Sequence, residues 1–254
     1  MYAEERQQSI AQLVSQHGRL SVAQLADKFG VTTETVRRDL SALDRIGLVR
    51  RVHGGAVPMS AVTAIEFGLG ERDQANTSAK DAIAAAAVAL LPPPGSMVII
   101  DAGTTTARLA SVLPRDHRLT VVTHAVTIAT RLAGLPHIEL YVLPGRVRPT
   151  THAAVGADTV AALADLRADV AYVATNGLSE HGLTTPDRDE AATKRAIVAA
   201  ARRTIVVTDS SKIGVEAPLR FAALSDIDTL VTDAGISSAD RTLIERAGVE
   251  VVVA

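Results

Sequence analysis

Between Glu4 and Gln16 the apolar positions Ile10, Leu13 and Val14 fall in helical register among polar neighbours, which predicts an amphipathic helix. A second register opens at Ser21. Val22, Leu25, Ala26 and Phe29 share one face, Ser21 and Gln24 have the spacing of a capping box, and Gly30 stands where a left-handed residue ends a helix. Thr32 can cap a third helix, in which Val36, Leu40 and Leu43 form the inward stripe while Thr33, Thr35, Arg37 and Arg38 project elsewhere. After Gly47, the run from Leu48 to Gly55 reads as a short β-wing ending in a glycine turn, with Arg50, Arg51 and His53 at its basic tip.

Residues 58–75 carry Pro58 and several glycines without periodicity and read as a linker leading into a helix. That helix starts near Thr77 and is stopped by three consecutive prolines. Beyond it the pattern alternates. Apolar runs at Met97–Ile100, Leu119–Val122, Ile138–Leu143, Val170–Ala174, Thr204–Val207, Thr229–Val231 and Glu250–Val253 predict strands. Helix-length segments lie between most of them, at Thr105–Leu113, Ala125–Ala133, Asp158–Leu166, Asp189–Ala201 and Ser238–Ala247. Continuous apolar strands separated by helices predict a largely parallel α/β sheet covered on both faces. The expected organisation is therefore a head over residues 1–57, a linker over 58–75 and an α/β domain over 76–254.

The outward residues of the third helix give the head its meaning. Hydroxyls and guanidinium groups on the N-terminal half of a helix are what a major groove accepts, and a basic wing suits phosphates. Charge alone does not decide this. Residues 1–56 hold eight Lys/Arg against six Asp/Glu, and a solvated helical hairpin would look similar. The order of capped helix, glycine turn, Thr-capped helix with paired arginines and basic wing selects DNA binding. Ser21, Thr32, Thr33, Thr35, Arg37, Arg38, Arg50, Arg51 and His53 are the candidate contacts. Six aromatic residues in 254 leave no platform for stacking bases, which favours duplex DNA over single strands. Cysteine is absent, which removes disulfides, thiolate nucleophiles and cysteine-based metal sites together. No apolar run reaches the ~20 residues of a membrane span and the N-terminal stretch is polar, so a cytoplasmic protein without cofactor or metal is expected.

In parallel sheets ligands sit beyond the carboxyl ends of the strands, and here the residues just past each strand are polar. Asp101-Ala102-Gly103-Thr104-Thr105-Thr106 places a glycine and three hydroxyls at a helix start, where backbone N–H groups and the helix dipole can cradle a phosphate. The Gly-Lys of a P-loop is missing, so no nucleoside triphosphate is implied. Thr123 and His124 follow the second strand, Gly145, Arg146 and Arg148 the third, and Asp187, Glu190, Lys194 and Lys212 lie further on. Only four of the 26 basic residues are lysine, namely Lys28, Lys80, Lys194 and Lys212, so each marks a place where a compact, titratable point charge stands instead of a guanidinium. Glu190 and Lys194, four apart, also read as a helix-surface ion pair, and the Asp101 loop as a simple helix cap.

The segments TTETVRRDLSALDRIGLVRRVHGGAV, DAGTTTARLA, LPGRVRPTTHAAVG, GLTTPDRDEAATKRAIVAAARRTIVVTDSSK and RFAALSDIDTLVTD closely resemble the DeoR family of bacterial sugar-operon regulators over nearly the full chain. The third of these segments looks most like that of actinobacterial fructose repressors. The resemblance implies a winged helix-turn-helix followed by a sensor domain similar in fold to ribose-5-phosphate isomerase and binding a phosphorylated sugar. It also implies that Thr104, Thr105 and Thr106 form the phosphate loop and that Asp101, Asp187, Glu190, Lys194 and Lys212 line the sugar pocket. Where relatives commonly read Thr-Asn-Ser, this chain reads Thr123-His124-Ala125.

Two functions of different class fit these residues: a transcriptional regulator, expected to be a repressor released by the sugar phosphate, and a sugar-phosphate isomerase carrying an extra head. Acids and a lysine around a phosphate loop are also the parts of a proton shuttle. An isomerase has no use for a DNA reader, so the head selects the regulator and argues against an enzyme. Operator DNA and a phosphorylated sugar are the expected partners, with a homo-oligomer, dimer or tetramer, placing heads on successive major grooves.

Overall fold

The structure is a computed structural model that describes residues 3–17, 20–45, 48–52, 54–58 and 68–254. Two compact units emerge, Met1–Glu66 and Phe67–Ala254.

Among its described residues the first unit packs three helices, Ala3–His17 (α1), Val22–Phe29 (α2) and Thr33–Arg45 (α3), with strands Leu20–Ser21 (β1), Val49–Val52 (β2) and Gly55–Pro58 (β3). Its core is Ile10, Val14, Leu25, Val36, Leu40, Leu43 and Val49, all sealed from solvent. Ser21 and Gln24 exchange both capping bonds, and Gly30 takes φ 61° to end α2. The Thr32 hydroxyl accepts the Thr35 N–H at 3.2 Å and so starts α3. The wing is three-stranded: β3 lies between β1 and β2 and pairs antiparallel with both. The two-residue strand β1 carries no alternation long enough to read from sequence. One buried ion pair was also illegible. Asp39 accepts Arg6 Nε at 2.6 Å and Gln7 Nε2 at 3.0 Å, tying α1 to α3.

The second unit begins with two helices, Leu69–Gln74 (α4) and Thr77–Val88 (α5). Residues 59–67 of the expected linker lie outside the described residues, and α4 occupies much of the rest. A central sheet follows, of seven parallel strands: Met97–Ile100 (β4), Leu119–Thr123 (β5), Ile138–Val142 (β6), Ala168–Val173 (β9), Ala201–Val207 (β12), Thr229–Thr232 (β14) and Glu250–Val253 (β15). Their spatial order is β15-β14-β12-β9-β4-β5-β6. Helices Thr104–Ser111 (α6), Val126–Leu132 (α7), Ala157–Ala164 (α8), Arg188–Ala199 (α9) and Ser238–Arg246 (α10) connect them, and the two sheet faces bury separate apolar clusters. Two small antiparallel pieces rise from the connections. Arg146–Val147 (β7) pairs with Ala154–Val155 (β8), while Gly177–Ser179 (β10), Gly182–Thr185 (β11) and Leu219–Ala222 (β13) form a three-stranded sheet in order β10-β11-β13. Residues 182–185, just ahead of Asp187, are thus strand. Among the described residues no helix is long and apolar enough to cross a membrane.

This order places the site. The chain runs outward from β4 through β5 to β6, then returns to put β9 on the other side of β4. Beyond the carboxyl ends of β4 and β9 the connections diverge, and such a switch point is where open α/β sheets bind ligands.

Candidate functional site

Asp101 follows β4 immediately and is fully buried, so every lone pair of its carboxylate needs a partner. Oδ2 accepts the Ala174 N–H, just past β9, at 2.9 Å and also the Lys194 ammonium from α9. Oδ1 lies 2.9 Å from Nε2 of His124, which follows β5. One carboxylate therefore joins three strand ends and a helix. Burial opposes its charge, but Lys194 and His124 hold the carboxyl below the usual carboxylate range. Lys194 also donates to the Ala174 carbonyl at 2.9 Å and sits 5.6 Å from the centroid of the Phe221 ring.

A second buried cluster surrounds Glu190, one turn earlier on α9. Arg148 Nη1 meets its Oε1 at 2.7 Å and the Thr151 hydroxyl donates to the same oxygen, while Thr185 Oγ1 lies 3.4 Å from Oε2. Burial opposes this charge too, and Lys194, Thr151 and Arg148 together hold the carboxyl below its ordinary range. Asp187 caps α9 by accepting the Glu190 N–H at 3.0 Å and faces Arg148 Nη2 at 3.3 Å. Glu190 and Lys194 do not form a helix-surface pair with each other: both are buried, and each bonds across the site.

Next to Asp101 the chain enters α6. Gly103 contributes no side-chain cap to that helix, so the first-turn N–H groups are left to other partners. Thr104, Thr105 and Thr106 are buried at 8%, 6% and 0% exposure. Thr106 Oγ1 donates to the Gly103 carbonyl at 3.0 Å, whereas the hydroxyls of Thr104 and Thr105 have no protein partner among the described residues. Gly103 is required by close approach. A Cβ there would stand 2.8 Å from the Ala174 Cβ and 3.0 Å from Thr106 Oγ1. Partner-free hydroxyls and uncapped amides at a helix start are groups with the chemistry to hold an anion.

The remaining pocket candidates are spread more widely. Thr123 Oγ1 is spent on the Ile100 carbonyl at 2.7 Å, which locks β5 to β4. Gly145 packs tightly, since a Cβ would meet Thr159 Oγ1 at 2.2 Å. Arg146 points outward to Asp189 at 2.7 Å with 64% of its side chain exposed, away from the buried clusters. Lys212 sits half-buried at the end of the single turn Ser210–Lys212. Sequence reasoning did not single out Thr151, because an isolated threonine in a turn gives no sign of reaching a carboxylate 39 positions away.

On the first unit, Thr33, Arg37 and Arg38 are exposed along the start of α3, and both arginines rest against Glu34, at 3.5 and 3.7 Å. Pairs this open are weak and are readily exchanged for phosphate or base edges. Ser21 is committed to its cap, and Thr32 and Thr35 hydrogen-bond to each other at 2.9 Å. Arg51 Nη1 donates to Ser41 Oγ at 2.7 Å. His53 and the side chain of Arg50 lie outside the described residues.

Residues 6–62 match the family model of the DeoR-like helix-turn-helix domain, and residues 75–234 match that of the DeoR C terminal sensor domain. The HTH-type transcriptional regulator GlpR of Haloferax volcanii is 38% identical over 253 residues, covering 99% of this chain and 98% of that protein. The HTH-type transcriptional repressor GlcR of Bacillus subtilis is 31% identical over 253 residues, covering 100% and 97%. Among solved structures, ribose 5-phosphate isomerase A of Methanocaldococcus jannaschii aligns over 55% of both chains with 16% identity and a TM-score of 0.41.

Proposed function

The chain belongs to the DeoR family of DNA-binding transcriptional regulators, and from that premise we propose that it represses a sugar-metabolism operon and leaves its operator when a phosphorylated sugar fills the switch-point pocket. The observation that carries the effector reading is the start of α6, where amides are uncapped and the hydroxyls of two largely buried threonines, Thr104 and Thr105, have no protein partner among the described residues, close in sequence to the Asp101 that Lys194 holds. A dianionic phosphate satisfies those donors, and the acids and Arg148 around Glu190 suit sugar hydroxyls. The second unit senses rather than catalyses. Its acids are already held by lysine, arginine and threonine, which leaves no poised base.

The acting form is a symmetric oligomer, dimer or tetramer, that sets two heads on major grooves ~10 bp apart or a multiple of that. It works in the cytoplasm, where its DNA lies, and needs no cofactor beyond the effector. Effector binding favours a conformation whose head spacing no longer fits. Thr105→Glu tests the cradle, because it places a fixed negative charge where the phosphate docks. The variant is expected to bind operator as the parent does but to ignore sugar phosphate, giving a permanent repressor. Calorimetric titration that finds sugar phosphate bound equally by Thr105→Glu and the parent places the pocket elsewhere.

A further inference from the structure

His124 is buried to 1% exposure, and its ring is caught between incompatible partners. Nδ1 lies 2.8 Å from the Ala154 carbonyl oxygen, which can only accept, so Nδ1 carries a proton. Nε2 faces two groups. Asp101 Oδ1, at 2.9 Å, requires a donor; the Ala102 N–H, at 3.1 Å, requires an acceptor. One nitrogen cannot be both at once. With a proton, the ring is a cation that donates to Asp101 and turns an N–H against the Ala102 amide. Without one, it accepts from Ala102 and sets its lone pair against a carboxylate.

We propose that His124 is a positioning residue for the effector's anionic group, and that anion binding draws a proton onto its Nε2. The inference rests on the reading of the α6 start as an anion cradle. Ala102 is the residue before Gly103 in the turn that opens α6, so a protonated His124 frees one more amide beside the cradle. It also adds positive charge where an anion arrives. Asp101, at the end of β4, is the charged group in contact with the ring, and Lys194 from α9 meets the other oxygen of the same carboxylate. Glu190 on α9 and Arg148 between β7 and β8 pair with each other, and His152 in the same turn is exposed. Lys194 is committed to Asp101, and Glu190 to Arg148 and Thr151, which leaves Nε2 as the group whose proton decides the pattern. An asparagine at 124 escapes the conflict. It carries an acceptor oxygen and a donor amide side by side and has no proton to gain.

The test uses the full chain, labelled with ¹⁵N-histidine and at backbone amides, with sodium sulfate as a probe that stays a dianion between pH 6 and 8. At pH 7 sulfate is expected to shift the Thr105 and Thr106 amides and to move the His124 Nε2 resonance from the bare-nitrogen to the protonated position. Sulfate affinity is expected to be higher at pH 6 than at pH 8 in the parent, by up to ~100-fold, the limit for one linked proton over about two pH units, and equal at the two pH values in His124→Asn. If the cradle amides respond while Nε2 stays fixed and affinity is flat in the parent, the proton linkage is wrong and the cradle stands. If the cradle amides ignore saturating sulfate, the cradle fails and this inference fails with it.

Discussion

A single lysine shows how much one side chain can hold. Lys80 is buried on α5, where its ammonium donates to the Arg72 carbonyl and, at 2.6 Å, to that of Ala75, and so ties α4 to α5 across the short turn between them. Burial pulls its pKa down to about 8, with Asp209 opposing and Arg108 and Lys212 assisting. Between pH 8 and the ordinary lysine value near 10.4, the unfolded chain therefore binds more protons than the folded one, and this group makes stability rise with pH across that window. Lys80→Met is expected to flatten that part of the curve relative to the parent, and to speed amide exchange across residues 72–79, because two carbonyls lose their donor. Denaturant midpoints at pH 7.5, 9 and 10.5 check the first expectation; parallel slopes for the two proteins would refute it. Arg37 and Arg38 make the opposite case, of side chains with little to hold within the fold. They are exposed and point away from the core stripe of α3. Changing both to alanine should leave the melting temperature in place and weaken specific operator binding by ~1–3 kcal/mol for each arginine that reads a base, with a flatter salt dependence for each that meets phosphate. An unchanged operator affinity at physiological salt would remove them from the interface.

At the scale of elements, the junction of β4 and α6 concentrates the chemistry, and Gly103 is its narrowest point. Gly103→Ala presses a methyl group onto Ala174 and Thr106, contacts of 2.8 and 3.0 Å that the backbone has to relieve. The expected cost is ~1–3 kcal/mol of stability, accompanied by loss of sugar-phosphate binding, because the same shift displaces the cradle amides. Thermal denaturation and calorimetry together decide it: a variant that binds as the parent does would show that the approach of Gly103 to Ala174 is incidental. This junction was legible in the sequence, because an apolar run ending in Asp101 and followed by Gly103 and three threonines is a local pattern. The seven parallel strands were legible for the same reason: each is a short, largely apolar stretch, buried on both faces in the five inner strands and partly exposed in the edge strands β6 and β15. The strands β1, β7, β8, β10, β11 and β13 were not, since they run only from two to four residues; β7–β8 and β10–β11 are short local pairs, and β1 and β13 rest on partners distant in sequence. Likewise, Glu190 and Lys194 share a helix face in the sequence, but that Glu190 turns to Arg148 and Lys194 to Asp101 follows from the strand order.

The whole molecule carries a DNA-reading unit whose Arg37 and Arg38 make only exposed, weak pairs and a sensor unit whose buried charges are paired around Asp101 and Glu190. The coupling between them has to be a difference in effector affinity between two states, and such couplings are typically ~1–3 kcal/mol. Such coupling requires no turnover of the sugar. The most direct test is a fluorescence-anisotropy titration of the full chain with a duplex operator selected from random sequence, repeated with a panel of sugar phosphates and their unphosphorylated counterparts. The account predicts that at least one phosphorylated sugar weakens operator binding by about 5- to 150-fold, that the matching free sugar does not, and that the sugar phosphate is recovered unchanged. It is contradicted if a free sugar releases the operator as well as its phosphate ester does, or if operator affinity is indifferent to the whole panel.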